Sequence, residues 1–213
     1  MIDSIFIEQD VLDHPVSQKV INRLKNAEVF EIERYQEMFN RRQQNFRIQK
    51  QKPALILAKK YDNFVLPAPS GFGINAQKNY YFSHMYNCIY DCRYCFLQGM
   101  YSSANYVLFV NYEDFFKEIT DVIAENTNDS VTFFSGYDCD SLAFEKITGF
   151  AEQAVEFFSN FNSVELELRT KSIVSDMLLK RSPISNCIVA YSLSPSNVAS
   201  ILDHKAPSVE RRI

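Results

Sequence analysis

The sequence predicts an α/β fold, with βα units set around a parallel sheet and a helical arm ahead of them. From Asn79 onward, short apolar or aromatic runs of β propensity alternate with stretches whose apolar residues recur at helical spacing. That alternation is the pattern of strands joined by crossover helices. Ahead of Phe64, the run VSQKVINRLKNAEVFEIERYQEMFNRRQQNF follows Pro15 with apolar residues at helical spacing and no further glycine or proline.

Composition narrows the class. The 213 residues are 46% hydrophobic and 23% charged, with 5 Gly and 7 Pro, which excludes collagen-like and disordered chains. The net charge of −4 gives no general attraction to DNA or to an anionic membrane, so any such contact needs a local basic patch. The first residues, MIDSIFIEQD, lack the basic and apolar regions of a secretory signal, and no apolar run approaches the roughly 20 residues that span a bilayer. The expectation is a soluble, cytoplasmic protein with no membrane partner.

Each element then follows in order. Residues 1–63 read as the helical arm. Between Met38 and Tyr61 lie seven basic residues and no acid: Arg41, Arg42, Arg47, Lys50, Lys52, Lys59 and Lys60. They read first as a solvated helix face, and as phosphate contacts only if something else touches nucleic acid. FVLPAPSGFGI, with two prolines and two glycines, marks a linker over 64–78. NYYFSHMYN is a strand running into Cys88, and YVLFV a second. Asn111 is placed to cap a helix carrying Phe115, Phe116, Ile119, Val122 and Ile123 on one face. A strand over Val131–Gly136, a long helix over Ser141–Phe161, a strand over Val164–Lys171, a short helix over Ser172–Arg181 and a strand over Cys187–Ser194 complete a core of 79–213 with a helical tail. Asp138 and Asp140 stand where they would cap the long helix, and His84, flanked by aromatics, reads as a core histidine.

Five cysteines in a chain without an export signal argue against a disulfide framework. Cys139 and Cys187 stand alone. The other three form Cys88-Ile-Tyr-Asp-Cys92-Arg-Tyr-Cys95, directly after a predicted strand. Three thiolates this close repel unless a cation shares them. Zinc would want a fourth protein ligand, for which only His84 or a lone cysteine is available. A [4Fe-4S] cluster held by three cysteines instead keeps one iron open for a substrate or cofactor.

At this triplet the sequence resembles the radical S-adenosylmethionine (SAM) superfamily, with Tyr94 as the aromatic before the third cysteine. YCFLQ (94–98), LAKKYDNFVLPAP, FSGYDCDSLAFE, LELRTKS and VAYSLSP further resemble the spore photoproduct lyase family of DNA repair enzymes. The resemblance implies a [4Fe-4S] cluster on Cys88, Cys92 and Cys95, SAM on the open iron, and a 5′-deoxyadenosyl radical that reverses a thymine photoproduct in DNA. It places Tyr94 near the adenine, Ser135 and Gly136 against the methionine part of SAM, and Lys171 and Ser192 on the cofactor from neighbouring strand ends. Beyond the carboxyl ends of parallel strands is where such folds bind ligands. The family's hydrogen-donor cysteine corresponds to Cys139, or in another register to Tyr137. Its tyrosine after the third cysteine is Phe96 here. DNA and an electron donor such as flavodoxin or ferredoxin are the implied partners. Radical SAM chemistry on another substrate and a zinc-bound nucleic-acid-binding module are the alternatives.

The superfamily's core is a (β/α) barrel. Asn79 to Ile213 falls far short of the roughly 250 residues of a full eight-stranded barrel, and about four βα units can be placed. The expectation is a partial (β/α) barrel belonging to a longer protein.

Overall fold

The structure, a computed structural model, describes residues 2–74 and 76–213; Met1 and Asn75, the latter within the expected linker, lie outside the described residues. It contains two five-stranded sheets, each with four parallel strands and one short antiparallel strand at an edge.

The first sheet is built from β1 (Ser4–Glu8), β2 (Glu28–Ile32), β3 (Leu55–Ala58), β6 (Met85–Tyr86) and β8 (Tyr106–Phe109), in the order β2-β1-β3-β8-β6. The second has β4 (Leu66–Pro67), β5 (Lys78–Phe82), β9 (Val131–Ser135), β10 (Val164–Thr170) and β11 (Cys187–Tyr191), in the order β11-β10-β9-β5-β4. A two-stranded ribbon joins β7 (Asp91–Cys92) to β12 (Asp203–His204).

Residues 1–63 are therefore not a helical arm. Helix forms over Pro15–Arg23, where Val16 and Val20 are buried and His14 Nδ1 accepts the Val16 N–H, but beyond it only single turns form, at Gln36–Phe39 and Phe46–Gln49. Glu28–Ile32, part of the run read as helical, is an edge strand parallel to β1. Its gain is backbone pairing with a distant strand and the stacking of Phe30 on Phe6 at 5.4 Å, neither visible in local periodicity. Because β8 pairs with β3, the sheet begun in the first 63 residues is completed by residues 106–109. The basic run is likewise not one solvated face: Lys50 and Lys60 are buried, and Arg41, Arg42, Arg47 and Lys52 are exposed.

Two helices also differ in detail. The stretch expected to be one long helix from Ser141 is a single turn, Glu145–Thr148, and a helix over Phe150–Phe158, parted by Gly149 in the left-handed region (φ +65°). The buried Glu145 carboxylate accepts the N–H groups of Ala151 and Glu152 and so caps the second helix from within the first. Tyr112–Glu125 is a helix as expected, but the Asn111 side chain does not cap it. It accepts from Lys60 N and donates to Lys60 O, both at 2.9 Å, joining the helix start to the end of β3.

The core gathers aromatic residues around Phe150, which packs against Phe82, Tyr112 and Phe116. His84 lies flat on its ring at 3.7 Å and is buried. Burial lowers the His84 pKa to about 3, so the folded protein holds it neutral where an unfolded chain would protonate it. The folded value is depressed, so stability is full above about pH 6.5 and falls on acidification by up to about 1.4 kcal/mol per pH unit until about pH 3. His84→Phe, which keeps the stacking, should flatten this part of the acid slope in urea denaturation between about pH 7 and pH 5; an unchanged slope would show that His84 does not set it.

Candidate active site

Parallel pairing brings the carboxyl ends of β5, β9 and β10 to one edge: Phe82 stands opposite Ser135, and Ser135 opposite Leu168. Thr170 and Tyr191 end β10 and β11 side by side. The cysteine loop folds over this edge. Asn87, at φ +65°, fixes its entrance by donating to the carbonyls of Ser103 and Asn105, each at 2.7 Å. Within the loop, Asp91–Cys92 pairs antiparallel with Asp203–His204, and the Arg93 N–H donates to Leu202 O at 2.9 Å. The buried Lys50 ammonium donates to the Cys88 carbonyl at 2.9 Å.

Between loop and sheet edge is a cavity of about 310 Å³. Cys88, Cys92, Cys95, Tyr94, Ser135, Gly136, Cys139, Lys171 and Ser192 all line it, so the structure brings to one place the residues to which the resemblance assigns the cluster, the SAM contacts and the hydrogen donor. Tyr137 and Phe96 line it too, Tyr137 stacked on Tyr81 at 4.2 Å and 5.8 Å from the Phe96 ring.

The local causes of this arrangement are specific. Gly136 leaves β9 at φ +85°, and a Cβ there would stand 2.5 Å from Ser141 Oγ, whose hydroxyl donates to Ser135 O. Ser135 lines the cavity, and its Oγ is buried with no hydrogen-bond partner among the described residues. Asp140 is a hub: Oδ1 accepts from Leu142 N, Ala143 N and the Thr170 hydroxyl, and Oδ2 from Lys171 N at 2.6 Å. It caps the turn that follows, as expected, and also fixes Lys171 at the end of β10. Asp138 is buried and does not cap.

Electrostatics follow from burial. It raises the Cys88 thiol far above its ordinary value and pushes Cys92 up to about 11, with Lys171 opposing the shift at Cys92. Cys139 is likewise pushed well above its ordinary range, by burial and then by its negative neighbours Cys88, Asp140 and Asp138. Bound iron would reverse the preference at the cluster cysteines by supplying positive charge.

His84 is stacked in the core and does not line the cavity, which corrects the zinc-module alternative in so far as it took His84 as the fourth ligand. Among the described residues no three His, Cys, Asp or Glu side chains converge as a single ion requires. A cluster makes no such demand, because each cysteine binds a different iron.

A model of the spore photoproduct lyase family matches residues 1–213. The chain belongs to that family. The spore photoproduct lyases are radical SAM lyase-type enzymes. No curated protein matches the chain by sequence. Among solved structures, it is similar to a cysteine-to-serine mutant of spore photoproduct lyase (TM-score 0.86, 16% identity). It is also similar to a double mutant of that enzyme with bound AdoMet and dinucleoside spore photoproduct (TM-score 0.84, 17% identity). A tyrosine-to-phenylalanine mutant is a third such structure (TM-score 0.83, 17% identity). Each match covers 100% of this chain and 62% of the other, so the chain spans less than two thirds of these relatives. The common fold is mixed α/β with parallel sheets. Among the described residues no helix is long and apolar enough to cross a membrane.

Several cavity or loop residues of this spore photoproduct lyase family member carry no local sequence signal. Lys50 reads as one charge in a basic run, and Asp203 and Arg212 as ordinary tail charges. Arg169, on the cavity wall, is held by the buried Glu167 at 2.7 Å. Gly136→Ala tests the backbone part of the site. Left-handed strain alone costs about 1–2 kcal/mol, the contact with Ser141 adds to it, and adding Ser141→Ala should recover only part of the lost urea midpoint. Full recovery would mean that φ at Gly136 carries no strain.

Proposed function

We propose that this protein is a [4Fe-4S]- and SAM-dependent radical enzyme that reverses a thymine photoproduct in DNA. The observation that carries the reading is the convergence of Cys88, Cys92 and Cys95 with Ser135, Gly136, Lys171 and Ser192 on a single cavity at the strand ends. The four parallel strands β5, β9, β10 and β11 are then the first part of a partial (β/α) barrel, and the cavity lies at its carboxyl-end mouth.

The donor set fits both cofactors. The three cysteines are free thiols facing the cavity and suit a cluster with one iron open. The backbone at Ser135 and Gly136, where β9 ends on the cavity, offers hydrogen bonds to the amino-acid part of SAM. Tyr94 would lie near the adenine, and Lys171 and Ser192 would contact the cofactor from neighbouring strand ends. When bound, the cluster and SAM supply the 5′-deoxyadenosyl radical that takes a hydrogen atom from the lesion. Cys139 serves as hydrogen-atom donor back to the product, its burial keeping the sulfur as S–H, and the thiyl radical left behind returns to S–H by taking one electron from the flavodoxin or ferredoxin and a proton. Phe96 has no hydroxyl and relays nothing. DNA is the substrate partner, and flavodoxin or ferredoxin supplies the electron.

Anaerobic reconstitution with iron and sulfide should give a visible absorption band that bleaches with dithionite, and Cys92→Ala should abolish it; colourless protein retaining one zinc per chain would remove the reading. With the full-length protein and an oligonucleotide carrying the lesion, mass analysis should show restored thymines. Cys139→Ala should still release 5′-deoxyadenosine while losing most restored product. Phe96 favours a second reading, radical chemistry on a different substrate, and an unchanged lesion alongside intact SAM cleavage would select it.

A further inference from the structure

We infer that the buried Asp203–Arg212 pair is a positioning element for the SAM site, holding the Tyr94 ring and the end of β11 in fixed relation across the cavity. The inference rests on the proposed cofactor site and adds to it two residues from the chain's last segment.

The Arg212 guanidinium and the Asp203 carboxylate are almost wholly buried, at 0% and 1% side-chain exposure, and meet at 2.8 Å. Taking both charges out of water carries a large desolvation penalty before their attraction is counted, and a packed apolar pair of similar volume is often as stable or more so. Stability alone therefore does not explain the pair, whereas its hydrogen bonds do. Asp203 Oδ1 accepts the Tyr94 hydroxyl at 2.6 Å. Arg212 donates to Ser192 O at 3.0 Å and to Pro207 O at 2.8 Å. One buried guanidinium thus joins two walls of the cavity, the β11 end at Ser192 and the cysteine loop at Tyr94.

The short bond to the buried Asp203 carboxylate ties the Tyr94 ring to the rest of the fold. Tyr94 lies between Cys92 and Cys95, is 53% exposed, and faces the Lys171 ammonium, 5.6 Å from the ring centroid. Without that bond, a half-exposed tyrosine between two cluster ligands has open rotamers, and ordering it would fall on cofactor binding. Asp203 itself is placed by the pairing of β12 with β7, which sets it opposite Cys92.

The test is SAM affinity of the reconstituted protein by equilibrium dialysis, with iron content and Tm measured alongside. Tyr94→Phe removes only the hydroxyl and should weaken SAM binding about tenfold, the low end of what losing an outer hydrogen-bond partner costs at a metal site, with iron content unchanged and only a modest fall in Tm from the Asp203 oxygen left without its donor. Asp203→Ala should weaken it at least as much, and adding Tyr94→Phe to it should cost little more, because both break one link. Arg212→Lys should retain more affinity than Arg212→Met. Should the Asp203 or Arg212 variants fail to fold, Tyr94→Phe alone still decides. Wild-type affinity in Tyr94→Phe, or losses that multiply in the double variant, would overturn the inference. Wild-type protein that takes up the cluster but binds no SAM would overturn the proposed function, and this inference with it.

Discussion

In a parallel sheet every strand leaves its ladder toward the same edge, and here Phe82 and Ser135 end β5 and β9 level with Leu168, two residues before β10 ends at Thr170. That shared edge is what the rest of the site depends on. It sets Gly136 and Lys171 on adjacent loops, where Asp140 can reach from one to the other and hold them together. It also provides a rim on which the cysteine loop settles, so that residues far apart in the chain meet at one cavity. A residue's place on this edge is fixed by ladder pairing before any side chain in the site makes a contact.

The first sheet supports the same rim from behind. Lys50, just ahead of β3, reaches the Cys88 carbonyl, and Lys60, just after β3, donates to Tyr86 OH where the chain turns toward the cysteines. Both ammonium groups are buried, and burial lowers the pKa of each. Their aliphatic stems lie among aromatic rings, with Lys60 Nζ 4.8 Å from the Phe109 ring and 5.1 Å from Tyr86. The N-terminal region is thus a buttress for the cysteine loop.

How much of this the sequence discloses depends on the range of the interaction involved. The cysteine spacing and the strand-end positions of Ser135, Lys171 and Ser192 are legible because each is a local pattern. The strand at Glu28–Ile32 is not, because its stability comes from β1 and from the Phe6–Phe30 stack rather than from its own alternation. The break at Gly149 is hidden by aligned apolar residues on either side, which stay on the buried face although the helix restarts. Lys50, Asp203 and Arg212 look like solvent charges because a charge pattern does not say which members the fold will enclose. Asp140 is half legible: its capping role is local, and its grip on Lys171 is not.

The two-residue ribbon between β7 and β12 bears on the order in which the protein matures. Tyr94 and Asp203 are 109 residues apart, so Cys88, Cys92 and Cys95 leave the ribosome long before the segment that shapes their loop. During synthesis the thiols are present while the loop still lacks its antiparallel partner. Iron delivered at that stage would meet an unshaped ligand set, and delivery after the tail has docked would meet a formed one. For the proposed cluster, the timing of metal loading would in this way be written into the connectivity of a sheet two residues long.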